Sequence, residues 1–457
     1  MAVIHRSLSV PDSATAIAVA VRQGALDPVR VAADALERIR TGDPFVGAFV
    51  ELRAEQMMAE AAELAARENL EGLALAGVPV AVKDNVAMAG HVMGQGSWPR
   101  EGEPQSTDHL VVTRLRSAGA LIVGLTRLPE FGLWATTDDP DVVTRAPSAP
   151  EWSAGGSSGG SGAAVAAGFV PVAHGNDGLG SVRNPAAACG VVGIKPGRGV
   201  VPGQAGHNDW YGMADNGAMG ATVADTALLL SVMAADPTLA HVVEPSGTLR
   251  VAASVKPPLQ GWRTDADLSR AVFAVAALLR DQGHRVDRDQ PHYPAQLGLF
   301  GTMRWSAVAA DAVDASDDPS TLQPRTLGLA GLGRRLRPLI RDEQLDRVRA
   351  RCDEFFEQHD LLVTPVFARP ALSAERWSER SWTVNVRSNL GYSAGFAGVW
   401  NLAGYPALSV PFGTHPETGT PIGVQLVAPP GRESLLLGTA AVIERLRPWP
   451  LPGRSVD

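Results

Sequence analysis

Gly155-Gly156-Ser157-Ser158-Gly159-Gly160-Ser161-Gly162 is the stretch on which this chain has to be understood. Four readings compete for it. Gly/Ser tracts are often flexible linkers, but this one lies between segments with strand and helix signals, inside an apolar part of the chain. A phosphate-binding loop would have to end in Gly-Lys-Ser/Thr, which is absent. A literal Gly-x-Ser-x-Gly runs from Gly156 to Gly160 and would make Ser158 the nucleophile on a strand-to-helix elbow. That arrangement also requires a later Asp or Glu and then a His. The downstream histidines at 207, 241, 284, 292, 359 and 415 have no distinctive setting. The fourth reading joins three pieces: Lys83 at the end of an apolar strand, the Gly/Ser loop, and a second turn, Gly175-Asn176-Asp177-Gly178-Leu179-Gly180-Ser181-Val182-Arg183.

Outward from the loop, helical and strand patterns alternate. Upstream, residues 11–23 and 27–41 carry apolar residues at helical spacing, with Ser13 and Asp27 as caps, and 53–68 is an Ala/Glu-rich helix. Leu75 to Val82 reads as a buried strand ending at Lys83-Asp84-Asn85, 108–119 as a helix and Ala120–Leu125 as a strand. The loop itself leads into a small-residue helix, Ala163–Gly168, and then a strand, Phe169–His174. Val191–Ile194 is a further strand. Downstream come a helix at 222–234, a strand at 249–255, a helix at 266–283, strands at 361–365, 407–411 and 423–427, and a closing helix from about 433 to 445. The alternation indicates an α/β layered fold. Neither an internal repeat nor a linker-like break is present, so residues 1–457 are expected to form one domain, with the weakly periodic 291–345 as a helical cover over one face.

Composition narrows the function. A formal net charge of −8 leaves no Lys/Arg excess for tracking nucleic-acid backbones. The short run Arg334-Arg335-Leu336-Arg337 reads as the solvated face of a helix. Cys189 and Cys352 give no disulfide framework and are expected to be buried thiols in a reducing, cytoplasmic compartment. No spacing suggests a metal site, and no cofactor motif is found. Met1 to Leu8 carries His5 and Arg6 without an apolar core of signal-peptide length, and no run of about 18 apolar residues suggests a membrane span.

With the three pieces assembled, the chain strongly resembles the amidase signature family. The resemblance rests on Gly77-Val78-Pro79 with Val82-Lys83-Asp84-Asn85, the Gly155–Ser161 loop, and Gly180-Ser181-Val182-Arg183 with Pro185. Cys189-Gly190, Gly193-Ile194-Lys195-Pro196, Asn401 to Pro406 and Gly423-Val424-Gln425-Leu426 extend it over nearly the whole chain. It implies a large mixed β-sheet covered by helices on both faces. It implies Lys83 as catalytic lysine, Ser157 as bridging serine after a cis peptide bond, and Ser181 as nucleophile. The 24-residue step from Ser157 to Ser181 suits the family, in which Ser158 is structural.

The chemistry is coherent without the family name. A serine hydroxyl becomes a useful nucleophile when a neighbouring base takes its proton. Lysine can be that base if burial lowers its pKa from about 10.4 by roughly three units; a lone lysine at a strand end would otherwise be a surface charge. Charge developing on the carbonyl oxygen needs backbone N–H groups aimed at it. The amides of Leu179, Gly180 and Ser181, with Gly178, are the expected oxyanion hole. The family usually has Thr-Gly-Gly-Ser where this chain has Gly178-Leu179-Gly180-Ser181, which places Leu179 against the substrate and asks whether leucine meets a positive φ there. The expected activity is hydrolysis of a small-molecule carboxylic amide to acid and ammonia or amine through an acyl-serine. A glutaminase subunit of a tRNA-dependent amidotransferase and a non-catalytic scaffold are the alternatives, and a homodimer is left open. Trp134 and Trp210-Tyr211 are equally open between an aromatic-lined pocket and core packing.

Overall fold

Alternate residues of a strand face opposite sides, so a buried sheet builds two apolar layers at once. The computed structural model describes residues 10–450 except 101, 205, 207, 208 and 394. The expectation for Met1 to Leu8, and the histidine at 207, lie outside the described residues. In chain order the elements are α1 (Ala14–Arg22), α2 (Pro28–Val46), β1 (Phe49–Leu52), α3 (Ala54–Ala65), β2 (Pro79–Lys83), α4 (Leu110–Ser117), β3 (Leu121–Thr126), β4 (Arg145–Ala146), β5 (Ala149–Ser153) and α5 (Gly159–Ala166). There follow β6 (Val172–Asp177), α6 (Arg183–Cys189), β7 (Val192–Lys195), β8 (Asp215–Gly220), α7 (Val223–Ala234), β9 (Arg250–Ala253), α8 (Ala266–Asp281) and β10 (Arg285–Asp287). The remainder is α9 (Leu297–Asp314), α10 (Pro324–Leu336), α11 (Glu343–Phe356), β11 (Leu361–Pro365), α12 (Trp382–Ser393), α13 (Gly398–Ala403), β12 (Ala407–Thr414), β13 (Pro421–Val427) and α14 (Glu433–Leu446).

Among the described residues eleven strands make one mixed sheet in the order β1-β3-β2-β6-β8-β7-β12-β13-β11-β9-β10, and β4 pairs with β5 apart from it. The pairs β3-β2-β6 and β11-β9-β10 are parallel, while the middle of the sheet is antiparallel. Val80 and Val82 of β2 face a layer made by α1, α4, α7, α8 and α14, while Ala81 faces α2, α3, α5 and α6. Further along, Leu361 and Val363 face the first layer, and Leu362 faces α9, α10, α11 and α13. The sheet is therefore covered on both faces, the α/β architecture read from the alternation of elements. Among the described residues no helix is long and apolar enough to cross a membrane.

Residues 291–345 contain α9 and α10, which pack tightly together over one half of a face. Gly333 of α10 lies so close to α9 that a Cβ there would collide with the Ser306 carbonyl. Gly333→Ala is expected to destabilise the protein by ~1–3 kcal/mol, as overpacking does, read as a lower midpoint of thermal unfolding. Ser13 and Asp27 cap α1 and α2 through the Ala16 and Val29 amides. Arg334 and Arg337 are exposed and paired with Asp314 and Asp311, and both cysteines are buried and free.

Several element boundaries differ from the sequence reading. The strand expected at 169–174 is β6, Val172–Asp177, because each of its residues pairs with one of β8. β8 itself, Asp-Asn-Gly-Ala-Met-Gly, carries no strand signal because it has no β-branched or aromatic residue. Its small residues are required by crowding: a Cβ at Gly217 would strike the Ile194 carbonyl. α5 begins at Gly159 rather than Ala163, and α6 and β1 had no clear local signal.

Candidate active site

β2 delivers Lys83 at its last position, where the side chain is 1% exposed. The loop before α5 brings Ser157 to it, with 2.8 Å between Lys83 Nζ and Ser157 Oγ. Lys83 Nζ also donates to the Asn176 carbonyl at 3.3 Å, which ties it to β6. The Gly156–Ser157 peptide is cis, and the Trp134 carbonyl with the Ala135–Thr136 backbone fills the space a side chain at Gly156 would need. Ser181 follows β6 in the second turn and is 9% exposed. Its carbonyl accepts the Ser158 N–H at 3.1 Å, which joins the two Gly-rich turns. Among the described residues Ser181 Oγ makes no hydrogen bond, and Ser157 Oγ bonds only to Lys83.

Ser158 is fully enclosed and fully used. Its hydroxyl donates to the Asn176 carbonyl at 3.2 Å and accepts the Asn176 N–H at 3.3 Å. Such a hydroxyl closes a loop by tying it to β6, unlike the exposed hydroxyl that a Gly-x-Ser-x-Gly elbow presents.

Burial lowers the Lys83 pKa to about 7, against a smaller opposing pull from Asp177. Asp177, the last residue of β6, had no role in the sequence reading and organises the whole turn. Its carboxylate accepts N–H bonds from Gly180 (2.6 Å), Val182 (3.0 Å) and Arg183 (3.4 Å). It also takes two from the Arg183 guanidinium at 3.0 and 2.9 Å and one from Asn401 at 2.9 Å. Burial alone would raise its pKa, but Arg183, helped by Lys195 and Asn401, holds it well below the usual carboxylate range. Arg183 is itself fully buried and completes its bonding on Asn401, Gln425 and the Ala397 carbonyl. His174 beside Lys83 is driven by burial to a pKa of about 3 and stays neutral; its Nδ1 accepts the Lys83 N–H.

This network corrects one expectation. The Gly180 amide donates to Asp177, so it is not available to an oxyanion. The amides of Leu179 and Ser181 make no hydrogen bond among the described residues. The left-handed conformation falls on Gly180 (φ +111°) and not on Leu179, so leucine is accommodated without strain. Trp134 and Trp210 are both buried in one apolar cluster but meet different neighbours. Trp134 is core, edge-on to Trp305 with ring centroids 5.6 Å apart and its indole N–H on Thr326. Trp210 lies on the backbone of Gly178, beside the turn.

One group of side chains has the composition of a metal site: Asp265, Asp267 and His415, with ligand atoms within 4.8 Å of one another. His415 Nδ1 accepts the Glu417 and Thr418 amides. Nε2 therefore bears the ring hydrogen and turns N–H, not a lone pair, toward the carboxylates. A metal-ligating histidine does the reverse, so the donor set does not fit a cation.

A lysine brought to a pKa of about 7 beside a serine would permit acyl transfer without histidine, here on a mixed sheet covered by helices on both faces. Residues 30–437 match the family described as Amidase, and the chain belongs to it. It is accordingly an amide-hydrolysing enzyme. AmiB2 of Mycobacterium tuberculosis strain H37Rv, provisionally named an amidase, is 36% identical over 431 residues, covering 91% of each chain. A solved structure of 6-aminohexanoate cyclic dimer hydrolase is 30% identical with a TM-score of 0.85, covering 96% of this chain and 98% of that one. A glutamyl-tRNA(Gln) amidotransferase chain from Thermotoga maritima is further off, at 26% identity and TM-score 0.74, over 93% and 94% of the two chains.

Proposed function

We propose that Ser181 is the nucleophile of a free-standing amidase, with Ser157 relaying its proton to neutral Lys83. The supporting observation is the 2.8 Å contact between Ser157 and a lysine whose pKa burial has brought to about 7. Ser181 Oγ bonds to the amide carbon while its proton passes to Ser157 and that of Ser157 passes to Lys83. The carbonyl oxygen gains the negative charge and is met by the amides of Gly178, Leu179 and Ser181. Collapse breaks the C–N bond, and the proton held by Lys83 returns through Ser157 to the departing nitrogen. Water then repeats the sequence on the acyl-serine and releases the acid. A sheet whose strands run from residue 49 to 427 supports treating the chain as one domain. The two buried thiols suit a reducing, cytoplasmic setting.

Covalent labelling tests the assignment. A fluorophosphonate probe is expected on Ser181 by peptide mapping, and Ser158→Ala is expected to affect folding more than labelling. A label on Ser158 would end this mechanism.

A further inference from the structure

The turn that holds Ser181 is flanked by apolar surface, and one residue of that surface stands where a neighbour has no side chain. A Cβ at Gly178 would lie 2.5 Å from Trp210 Cε3, 2.9 Å from Cζ3 and 3.0 Å from Cδ2, so the indole rests directly on the backbone of the turn. The same ring reaches toward the lysine–serine pair. A Cβ at Gly132 would be 3.6 Å from Trp210 Cζ2 and 3.3 Å from Ser157 Oγ. On its other flank the turn presents Leu179, half-buried, whose Cδ2 would lie 3.1 Å from a Cβ at Gly398. Phe131, next to Gly132, belongs to the same apolar layer as Leu179 and Trp210.

Backbone conformation points to the same place. Five non-glycine described residues have positive φ, and four of them are Gln95, Phe131, Trp210 and Tyr211. Bulky residues adopt this conformation only where the surroundings impose it, and such positions cluster at ligand sites. The surroundings are visible here: the Phe131 N–H donates to the Gln95 carbonyl at 2.6 Å, and the Tyr211 hydroxyl to Asp311 of α9 at 2.5 Å. Phe131 and Tyr211, which flank this apolar layer, are thus anchored to Gln95 and to α9.

We infer that Trp210 and Leu179 form an apolar acyl-binding wall, and that the enzyme selects amides of aryl or medium-chain alkyl carboxylic acids over small or anionic ones. The inference rests on Ser181 as nucleophile. In that mechanism the acyl carbon stays bonded to Ser181 on the turn after the amine has departed. Residues seated on the turn therefore meet the acyl group.

The test is kcat/KM for primary amides of graded acyl group (acetamide, hexanamide, phenylacetamide, succinamic acid), together with anilides and methylamides of one acid. Wild type is expected to prefer phenylacetamide or hexanamide to acetamide by about tenfold or more, and to use succinamic acid worst. Trp210→Ala and Leu179→Ala are each expected to shrink that preference severalfold, read as the ratio between acyl groups within each variant. Preference for acetamide or succinamic acid with Ser181 labelled would overturn the wall and leave the nucleophile standing. So would an acyl preference unchanged in both variants, or a change confined to the amine series. A probe mapped away from Ser181 would remove the nucleophile, and the inference with it.

Discussion

Lys83→Ala is expected to lower kcat/KM by about a thousandfold or more and to remove the acid limb of its pH profile. A general base of this kind contributes roughly 10²–10⁴-fold, and Ser157 loses its proton acceptor at the same time. In the wild type the limb is expected near pH 7, because activity requires neutral Lys83 and its pKa is lowered to about 7. Activity falls as the pH drops below that value. Glu130, raised by burial to about 7, could give a limb in the same range, so Glu130→Gln is the control and is expected to leave it in place. His174, at about 3, cannot supply it. The double variant Lys83→Ala with Ser157→Ala is expected to be scarcely worse than either single one, since the pair acts as a unit. Fully multiplicative losses would show that the two residues act independently, and a Lys83→Ala enzyme with near-normal kcat/KM and the same limb would exclude lysine as the base.

Removing the lysine has an opposite signature in stability. A lysine whose folded pKa lies below its unfolded value of about 10.4 destabilises the fold while the ammonium form is present. That cost is complete below the folded pKa, near 7, and disappears as pH rises toward the unfolded value. Lys83→Met, which keeps the apolar stem, is therefore expected to raise the unfolding midpoint most below pH 7 and progressively less toward pH 10. A more stable, inactive variant separates a functional lysine from a structural one.

Asp177→Asn is the second substitution with a large expected effect. It leaves the Arg183 guanidinium fully buried without its carboxylate, and breaking a buried pair in this way costs about 3–5 kcal/mol. It also leaves one acceptor oxygen where there were two, so either the Gly180 amide on Oδ1 or the Val182 and Arg183 amides on Oδ2 meet an NH2 donor, and the turn around Ser181 loosens. Activity is expected to fall at least about a hundredfold, mainly in kcat, as misplacement near the reacting atoms does. A purely structural role would stop there. Asp177 also stabilises the charged form of Lys83, so its loss is expected to move the acid limb below that of the wild type. Thermal unfolding and a pH profile of the residual activity check both. An unmoved limb would mean that Asp177 acts on the turn alone.

Much of this was legible in one dimension. The apolar strand ending at Lys83, the Gly/Ser loop and the Ser181 turn each have local composition that says strand end or tight turn. Their order along the chain points to one chemistry where each piece alone is ambiguous. Caps at Ser13 and Asp27 were readable for the same reason, since a cap acts within three residues of itself. β8 and α6 were not readable, because their small side chains answer to crowding by other elements rather than to intrinsic preference.

The sequence by itself determined the alternating α/β layers, the two serine-bearing turns and the lysine that could serve them, because periodicity and glycine placement are local properties. Only the tertiary structure decided what depends on approach through space. It brought Lys83 to within 2.8 Å of Ser157 and stripped it of water, which is what moves a lysine toward neutrality. It gave the Gly180 amide to Asp177 and thereby took it from the oxyanion hole. It buried Trp134 and Trp210 in one apolar cluster and set Trp134 against Trp305 and Trp210 against the Gly178 turn, two tryptophans that the chain presents alike. Desolvation, hydrogen-bond competition and packing are set by neighbours far apart in sequence, so no local pattern can encode them.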